Sequence, residues 1–179
     1  MPERKPNRLA KFDYNSTGAY FLTICTNNRC QILSRIVGGD VIDAPKNIEL
    51  LPFGKIADIY INQLNDFYDH ITVDSYVIMP NHIHIMLLVS RGGASRTSPP
   101  TSEIENDESR TPLNTNQHSC VSQFVSTFKR FCNKEYGKNI WQRYFHDHII
   151  RNREDYEEHL KYIYENPTRW FYDDLYIEI

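Results

Sequence analysis

Tyr76-Val-Ile-Met-Pro-Asn-His-Ile-His-Ile-Met-Leu-Leu-Val89 is the stretch around which the chain is organised. Its two short apolar runs are joined by Met79-Pro-Asn81, and proline and asparagine favour tight turns. Side chains alternate between the two faces of a strand, so His82 and His84 point to the same face. Two such imidazoles are able to bind one divalent ion, although the same spacing also occurs in strands whose polar face is simply hydrated. The stretch predicts a β-hairpin that carries a candidate metal site.

A second group of polar residues lies near the C-terminus, in His159-Leu-Lys-Tyr-Ile-Tyr-Glu-Asn-Pro167. Residues four apart share one face of a helix, so a helix here would place Tyr162 beside Asn166. A phenol and an amide oxygen would then face the histidine pair together. Both residues also have a purely structural interpretation, because tyrosine can bridge core and solvent and asparagine often ends a helix.

The predicted last helix contains several tyrosines, so the choice of a nucleophile needs an argument. Helical periodicity predicts one apolar side that packs on the sheet and one polar stripe that is the candidate active face. The apolar side consists of Tyr156, Leu160, Ile163 and Tyr164. The polar stripe consists of Asp155, His159, Tyr162 and Asn166. Because Tyr162 is the tyrosine on the polar stripe, it is the predicted nucleophile.

These segments resemble the single-tyrosine transposases that carry a His-hydrophobic-His motif, and in particular the REP-associated tyrosine transposase branch. Pro80-Asn-His-Ile-His84 is similar to the motif itself, and Tyr162-Ile-Tyr-Glu-Asn-Pro167 is similar to the nucleophile helix. Trp141-Gln-Arg143 and His148-Ile-Ile-Arg-Asn152 resemble further segments of that branch. The resemblance extends from Tyr20 to Trp170.

The resemblance implies an endonuclease and strand-transferase that acts on single-stranded DNA at hairpin ends through a covalent phosphotyrosine intermediate. Tyr162 would be the catalytic residue. A divalent metal, Mg²⁺ or Mn²⁺, suits mixed nitrogen and oxygen ligands. The ligands would be His82, His84 and Asn166. Two further histidines are candidates to orient these ligands by hydrogen bonds, namely His148 and His159.

Two alternative functions stay open. One is a DNA-binding module of the same fold that lacks catalysis, and the other is a metal-dependent phosphodiesterase that uses water as its nucleophile. Formation of a covalent protein–DNA adduct would separate the transposase from both. The assembly is open as well, because some relatives exchange the nucleophile helix between subunits while the REP-associated branch is described as monomeric. We therefore expect a monomer or a homodimer.

The overall charge of the chain is slightly negative, so the protein is not broadly basic. The chain has 179 residues and a formal net charge of −3, so contact with DNA must depend on local basic patches. The N-terminal candidates are Arg4, Lys5 and Arg8. The candidates further along the chain are Lys129, Arg130, Lys134, Arg143 and Arg151.

The sequence gives no indication of a membrane or secretory protein. No apolar run reaches the roughly 18 residues that a transmembrane helix needs, and no apolar segment follows the basic N-terminus. The four cysteines form no Cys-x-x-Cys pair, which argues against a zinc knuckle. We expect a cytoplasmic protein with reduced thiols.

Strand and helix patterns alternate along the chain and predict one α+β domain, in which helices pack on an antiparallel sheet. The resemblance implies that this sheet is ferredoxin-like. The predicted domain covers residues 13–170, between a flexible basic tail at 1–12 and a C-terminal tail at 171–179 that is able to add an edge strand. Residues 90–119 are rich in Ser, Thr, Pro and Asn and are predicted to form a flexible surface insertion. The predicted helices span 52–69, 121–136 and 153–166, and the predicted strands include 20–26, 71–79, 82–89 and 141–150.

Overall fold

The computed structural model describes residues 16–38, 47–90 and 119–177. The basic tail, with Arg4, Lys5 and Arg8, and nearly all of the insertion at 90–119 lie outside the described residues. The strands are β1 (Gly18–Cys25), β2 (Ser34–Val37), β3 (Asn47–Leu50), β4 (Ile71–Ile78), β5 (His82–Val89) and β6 (His146–Ile150). The helices are α1 (Pro52–Phe67), α2 (Cys120–Tyr136) and α3 (Arg153–Glu165). None of the described helices is long and apolar enough to cross a bilayer.

The central sheet has four antiparallel strands in the order β4-β5-β1-β6. All eight residues of β1 pair with β5, from Gly18 opposite Val89 to Cys25 opposite His82. Helix α1 connects β1, by way of the separate β2–β3 ladder, to β4, and α2 connects β5 to β6. This order and these connections are those of a ferredoxin-like fold. The predicted α+β class and antiparallel sheet are confirmed.

One face of the sheet is covered by α1 and α2, and it holds the larger apolar core. The strands contribute alternate residues to it, including Tyr20, Leu22, Ile24, Ile83, Ile85 and Leu87. The helices contribute Ala57, Ile61, Leu64, Phe124, Val125 and Phe128. Burying each large apolar side chain stabilises the fold by about 1.5–3 kcal/mol, so this face supplies most of the hydrophobic stabilisation. Helix α2 ends at Gly137, whose φ of 68° lies in the left-handed region that glycine adopts without strain.

The opposite face of the sheet is covered by α3 and by the segment that follows it. The apolar cluster here is smaller and consists of Phe21, Val77, Met79, Met86, Ile163 and Trp170. Helix α3 begins at Asn152, whose Oδ1 accepts a hydrogen bond from the backbone N–H of Asp155 at 2.8 Å. Within α3, Ile163 is the residue that is fully buried. The last helix is therefore held on the sheet by few apolar contacts.

The predicted strand at 141–150 is longer than the observed one, which covers His146–Ile150. Trp141 forms a single bridge with Thr26 and its ring is buried against Phe128 in the larger core. Between Trp141 and β6, two carbonyl groups accept hydrogen bonds from Lys129 on α2 instead of from a neighbouring strand. The first part of the predicted strand therefore contributes Trp141 to the core but does not form a strand.

The predicted edge strand in the C-terminal tail is wrong for the described residues. Trp170–Tyr172 form one turn of 3₁₀ helix, and the carboxylate of Asp173 then accepts a hydrogen bond from the backbone N–H of Leu175 at 2.7 Å. Side chains from distant parts of the chain donate to the carbonyl groups of this tail: Arg29 to Asp174, Asn81 to Leu175 and Gln31 to Ile177. The tail is therefore fixed by side chains instead of by a strand ladder.

Candidate active site

His82 and His84 lie at the start of β5, on the face of the sheet that α3 covers. Their side chains are 0% and 3% exposed, and their ring centroids are 4.5 Å apart. Burial disfavours the charged form, so it lowers the pKa of His82 to about 3 and that of His84 well below 6.5. Both imidazoles are therefore neutral at physiological pH, which is the form that binds a metal.

Each of these histidines is oriented by a hydrogen bond at Nδ1. Nδ1 of His84 lies 2.9 Å from Oγ1 of Thr23, and Nδ1 of His82 donates to Oδ1 of Asn81 at 2.8 Å. The amide group of Asn81 is fixed in turn, because its Nδ2 donates to the carbonyl of Leu175. Since an amide oxygen only accepts, Nδ1 of His82 carries the proton and Nε2 carries a lone pair. Outer hydrogen bonds of this kind set the tautomer and direction of metal-binding histidines.

Three buried polar atoms on the face of the sheet that α3 covers have no hydrogen-bond partner among the described residues: Nε2 of His82, Nε2 of His84 and Oδ1 of Asn166. Leaving a buried polar atom unpaired costs about 1–3 kcal/mol, so native proteins contain few of them. The three atoms belong to the residues that the sequence predicts as metal ligands. Two nitrogen atoms and one amide oxygen are a donor set that fits a divalent cation.

Asp173 is the residue of the site that sequence reasoning missed. Its carboxylate lies within 4.8 Å of ligand nitrogens of His82 and His84, so it is a fourth candidate ligand. The same carboxylate accepts hydrogen bonds from Oη of Tyr162 at 3.0 Å and from Nδ2 of Asn166 at 2.9 Å. In the sequence Asp173 is one of several acidic residues in a tail without periodicity, and nothing there separates it from its neighbours.

Tyr162 lies directly beside the histidine pair. Its ring centroid is 5.1 Å from that of His84, and its side chain is 39% exposed. Burial, together with the negative charge of Asp173, raises the pKa of Tyr162 to about 12. The side chain is therefore a neutral phenol at physiological pH, and it needs a proton acceptor before it can act as a nucleophile.

The other two tyrosines of α3 point elsewhere. Oη of Tyr156 donates to Asp74 on β4 at 2.6 Å, which anchors the helix to the edge of the sheet. Tyr164 was predicted to pack on the sheet, and this is wrong because its side chain is 70% exposed. Each helical residue turns by roughly 100°, and the buried direction of α3 runs between Ile163 and Asn166, so Tyr164 faces solvent. The structure brings only Tyr162, among the tyrosines of α3, to the histidine pair.

A cavity of about 500 Å³ opens beside Tyr162. Phe21 forms its floor, because the Phe21 ring stacks on His84 at 5.0 Å and also contacts His159 at 4.7 Å and Tyr162 at 6.0 Å. The polar side chains of its wall are Thr23, His84, His146, Glu158, His159, Tyr162, Asp173 and Asp174. The cavity therefore brings several ionisable side chains together next to the candidate nucleophile.

His148 and His159 do not hydrogen-bond to the predicted metal ligands within the described structure. Both contact Asp155 instead: Nε2 of His148 is 3.0 Å from each carboxylate oxygen, and Nδ1 of His159 is 3.1 Å from Oδ1. Desolvation raises the pKa of Asp155, but hydrogen bonds from the backbone N–H of Arg151 and from His148 outweigh it and hold the pKa below its usual range. The two histidines thus belong to a separate carboxylate-centred group.

Three of the candidate DNA-binding residues lie on α2, across the sheet from Tyr162. Nζ of Lys129 donates to the carbonyl groups of Gln142 and Tyr144 at 2.8 and 3.2 Å, and burial lowers its pKa to about 8. Lys129 is therefore engaged within the protein. Arg130 and Lys134 are exposed on α2.

The remaining two candidates for DNA contact lie on either side of β6 in the chain. Arg143 is exposed and lies over the ring of Tyr144 at 5.4 Å, and Tyr144 is itself 61% exposed. Arg151 is exposed at the junction of β6 and α3. A guanidinium group beside an exposed aromatic ring is suited to single-stranded nucleic acid, since rings stack on bases and arginine contacts phosphate.

Comparisons with known proteins were made for the whole chain. No family model matches it. An uncharacterised protein of Haemophilus influenzae is 26% identical over 180 residues, which cover 98% of this chain and 94% of that protein. A REP-associated tyrosine transposase of Escherichia coli is 29% identical over 97 residues, or 54% of this chain and 44% of the transposase. A putative REP-associated tyrosine transposase of Haemophilus influenzae is 28% identical over 130 residues, or 63% of this chain and 62% of that protein. The predicted resemblance to the REP-associated tyrosine transposases is confirmed.

A solved structure of a REP-associated tyrosine transposase bound to a REP hairpin shares the fold of this chain. The TM-score is 0.57 at 20% sequence identity, and the superposition covers 97% of this chain and 76% of the other. The likeness therefore includes α3 as well as the ferredoxin-like sheet. The sequence matches to the two transposases span less than half of the Escherichia coli protein and about three fifths of the Haemophilus influenzae protein.

Proposed function

We propose that this chain is a REP-associated tyrosine transposase, a metal-dependent endonuclease and strand-transferase that acts on single-stranded DNA carrying a hairpin. The observation that carries the proposal is the meeting of three unpaired buried ligand atoms and a tyrosine hydroxyl at one end of the sheet. The two relatives named as such transposases, and the solved relative bound to a REP hairpin, agree with it.

The proposed metal ligands are His82, His84 and Asn166, and the carboxylate of Asp173 is placed to join them. The donor set suits Mg²⁺ or Mn²⁺. When bound there, a divalent ion would polarise the scissile phosphate and neutralise the charge that develops on its oxygen atoms. The protein contributes by keeping both imidazoles neutral through burial and by orienting them through Thr23 and Asn81.

Tyr162 is the proposed nucleophile. Its oxygen attacks the phosphorus atom, the bond to the 3′-oxygen breaks, and the products are a phosphotyrosine and a free 3′-hydroxyl. The covalent intermediate conserves the energy of the phosphodiester bond for rejoining. The phenol must lose its proton, and Oδ2 of Asp173, at 3.0 Å, is the acceptor in place.

All proposed groups come from one chain, since α3 packs against its own sheet and places Tyr162 beside His84 of the same molecule. We therefore propose that a monomer is sufficient for cleavage. Light scattering of the active protein should give the mass of one chain, and a strict dimer whose activity falls on dilution would contradict this.

Trapping of the covalent intermediate tests the proposed function. Wild-type protein, incubated with a single-stranded oligonucleotide that carries a hairpin and with Mg²⁺ or Mn²⁺, should form an adduct that survives denaturant. Tyr162→Phe removes one oxygen atom and should give no adduct while still binding DNA. Tyr164→Phe is the matched control, because it makes the same change at an exposed position two residues away and should leave the adduct intact.

The remaining outcomes assign the alternatives. Peptide mapping that places the nucleotide on Tyr156 or Tyr164 would contradict the geometry of α3 described above. Cleavage without any adduct would point to a water nucleophile and a metal-dependent phosphodiesterase. Hairpin binding without cleavage under every metal condition would identify a catalytically inactive DNA-binding module.

A further inference from the structure

A second cluster of ionisable side chains lies beside Tyr162 and takes no part in the proposed metal site. Its centre is Asp155, in the first turn of α3, whose carboxylate accepts hydrogen bonds from the backbone N–H of Arg151 and contacts Nε2 of His148, both at 3.0 Å. His159 follows one helical turn later, and its ring stacks on that of His148 with centroids 4.5 Å apart and planes 14° from parallel. The His159 ring is thus held on two sides.

The hydrogen bonds of His159 determine which of its nitrogen atoms is free. Nδ1 lies 2.8 Å from the backbone carbonyl of Asp155 and 3.1 Å from Oδ1 of the same residue. A carbonyl oxygen only accepts, so Nδ1 carries a proton. Nε2 makes no hydrogen bond with any residue that the structure describes. An imidazole that a carboxylate holds at one nitrogen, with the other nitrogen free, is the arrangement used in general acid–base catalysis.

His159 lies beside the candidate reaction site. His159 lines the same cavity as His84 and Tyr162, and the ring of Phe21 contacts all three. His159 and Tyr162 are three residues apart and are neighbours on the helix surface. Asp173, the acceptor for the phenol proton, lines the same cavity. A phosphate bound in this cavity would therefore lie near two groups that are able to transfer protons, Asp173 and His159.

We propose that His159 is the catalytic acid and base at the 3′-oxygen of the DNA, and that Asp155 and His148 are positioning residues for its ring. This inference rests on the proposed function. In cleavage, the bond between Oη of Tyr162 and phosphorus forms while the bond from phosphorus to the 3′-oxygen breaks. Protonated His159 gives its Nε2 proton to that departing oxygen, and the phenol proton passes to Asp173.

Rejoining reverses each transfer. The free 3′-hydroxyl attacks the phosphotyrosine and gives its proton to Nε2 of His159, while the phenolate of Tyr162 leaves and regains a proton from Asp173. No external oxidant or co-reactant is needed. The ionisable groups around His159 in the described structure are Asp155, Glu158, Tyr162, His146, His148, His84, Asp173 and Asp174.

A substrate with sulfur in place of the bridging 3′-oxygen separates proton donation from any structural role. A thiolate is a weak base and leaves without a proton, so it needs no general acid. On ordinary hairpin DNA, His159→Gln should slow cleavage on the order of 10²–10⁴-fold. On the 3′-thio substrate the same variant should cleave within a few-fold of wild type. Asp155→Asn should show a smaller loss that sulfur also relieves.

His70→Gln is the matched control, because His70 lies in the turn before β4, at the other end of the β4–β5 hairpin from His82. It should cleave both substrates at the wild-type rate. Equal slowing of His159→Gln on both substrates would overturn the inference, and so would unchanged cleavage of ordinary DNA. Melting temperature and hairpin binding show whether the variant is folded. If His159→Gln is not folded, Asp155→Asn decides the question. The inference is then overturned if the 3′-thio substrate does not restore cleavage by Asp155→Asn.

The same experiment distinguishes a failure of the proposed function from a failure of the inference about His159. If wild-type protein forms no adduct on either substrate, the proposed function fails, whatever His159 does. If wild type forms the adduct on Tyr162 and His159→Gln is slow on both substrates, the transposase stands and the role of His159 as acid and base is wrong. Tyr162→Phe lacks the nucleophile, so the 3′-thio substrate should not restore its cleavage.

Discussion

The two faces of the central sheet are made by the same strands and differ in what they bury. The face covered by α1 and α2 buries an apolar core of aliphatic and aromatic side chains. The face covered by α3 buries a smaller apolar cluster together with His82, His84 and Asn166, and one polar atom of each has no hydrogen-bond partner among the described residues. On the other face the same is true of Nε1 of Trp141. The first face therefore stabilises the fold, while the second keeps buried atoms in an unfavourable state that a bound cation would relieve.

The largest contrast between the faces should appear in the free energy of unfolding. Phe128→Ala, on the α1–α2 face, should destabilise the protein by about 3–5 kcal/mol, because Phe128 is fully buried among large side chains. Ile163→Ala, on the α3 face, should cost close to the lower end of the range of about 2–5 kcal/mol. Urea unfolding measures both. A larger loss for Ile163→Ala would show that α3, too, is essential to the core.

Metal binding should affect only the α3 face. Free Mn²⁺ at roughly 100 times its Kd should stabilise the wild-type protein by about 2.7 kcal/mol, and EDTA should remove both this stabilisation and cleavage. His84→Met should lose the Mn²⁺ effect. In EDTA the variant should differ from wild type by no more than about 1 kcal/mol, because the removal of an unpaired buried nitrogen offsets the loss of the hydrogen bond to Thr23.

Mn²⁺ titration followed by melting temperature checks this prediction, with Met86→Leu as the control for a change of side chain on the same face of β5. A full Mn²⁺ stabilisation of His84→Met would remove His84 from the metal site. A loss of several kcal/mol in EDTA would show that His84 supports the apolar core directly.

The pH dependence of stability in EDTA should come mainly from the same face. The folded-state pKa of His82 and His84 lies below the ordinary value of 6.5, so below that pH the unfolded chain binds protons that the folded chain excludes. Stability is therefore fully present above about pH 6.5 and is lost on acidification, by at most ~1.4 kcal/mol per pH unit for each histidine. His84→Met should flatten this slope. Urea unfolding between pH 7 and pH 5 measures it, and a flat wild-type profile would contradict the burial of neutral imidazoles.

The smallest expected difference concerns DNA affinity. Arg143 lies beside the exposed ring of Tyr144, whereas Lys55 is exposed on α1, on the face of the sheet away from Tyr162. Arg143→Ala should weaken hairpin binding and reduce the slope of log affinity against log salt by about one. Lys55→Ala should change neither. If both substitutions act alike, the charge effect is general and does not identify a binding surface.

The elements that the sequence predicted well are those whose signals are local. The bounds of β5 and the start of α3 agree with the predictions because strand alternation and an asparagine cap act over a few residues. His82, His84 and Asn166 were predicted from spacing and resemblance, and they are the residues whose ligand atoms are left unpaired. Their role as ligands stays a prediction.

The features that the sequence did not reveal depend on contacts between distant segments. Asp173 reaches the site because Arg29 and Asn81 hold the tail by its carbonyl groups, across 145 and 94 positions of the chain. The exposure of Tyr164 depends on how α3 is rotated about its axis, and periodicity alone cannot fix this rotation for a helix with few apolar contacts. In the sequence Lys129 resembles an ordinary surface cation. In the structure its ammonium group donates hydrogen bonds to the carbonyl groups of Gln142 and Tyr144, which lie in a distant segment.

The pairing of β5 with β1 has a consequence for how the site can vary. Cys25 lies opposite His82 and Thr23 lies opposite His84, so the same register sets both the strand ladder and the orientation of His84 by Thr23. If β5 slipped by one residue, Ile83 would take the place of His82 on the α3 face. The imidazoles would then be buried in the apolar core on the other face. An inserted or deleted residue anywhere in β5 is therefore incompatible with the site and with the fold at once. The spacing of these two histidines can therefore change only if the sheet itself is rebuilt.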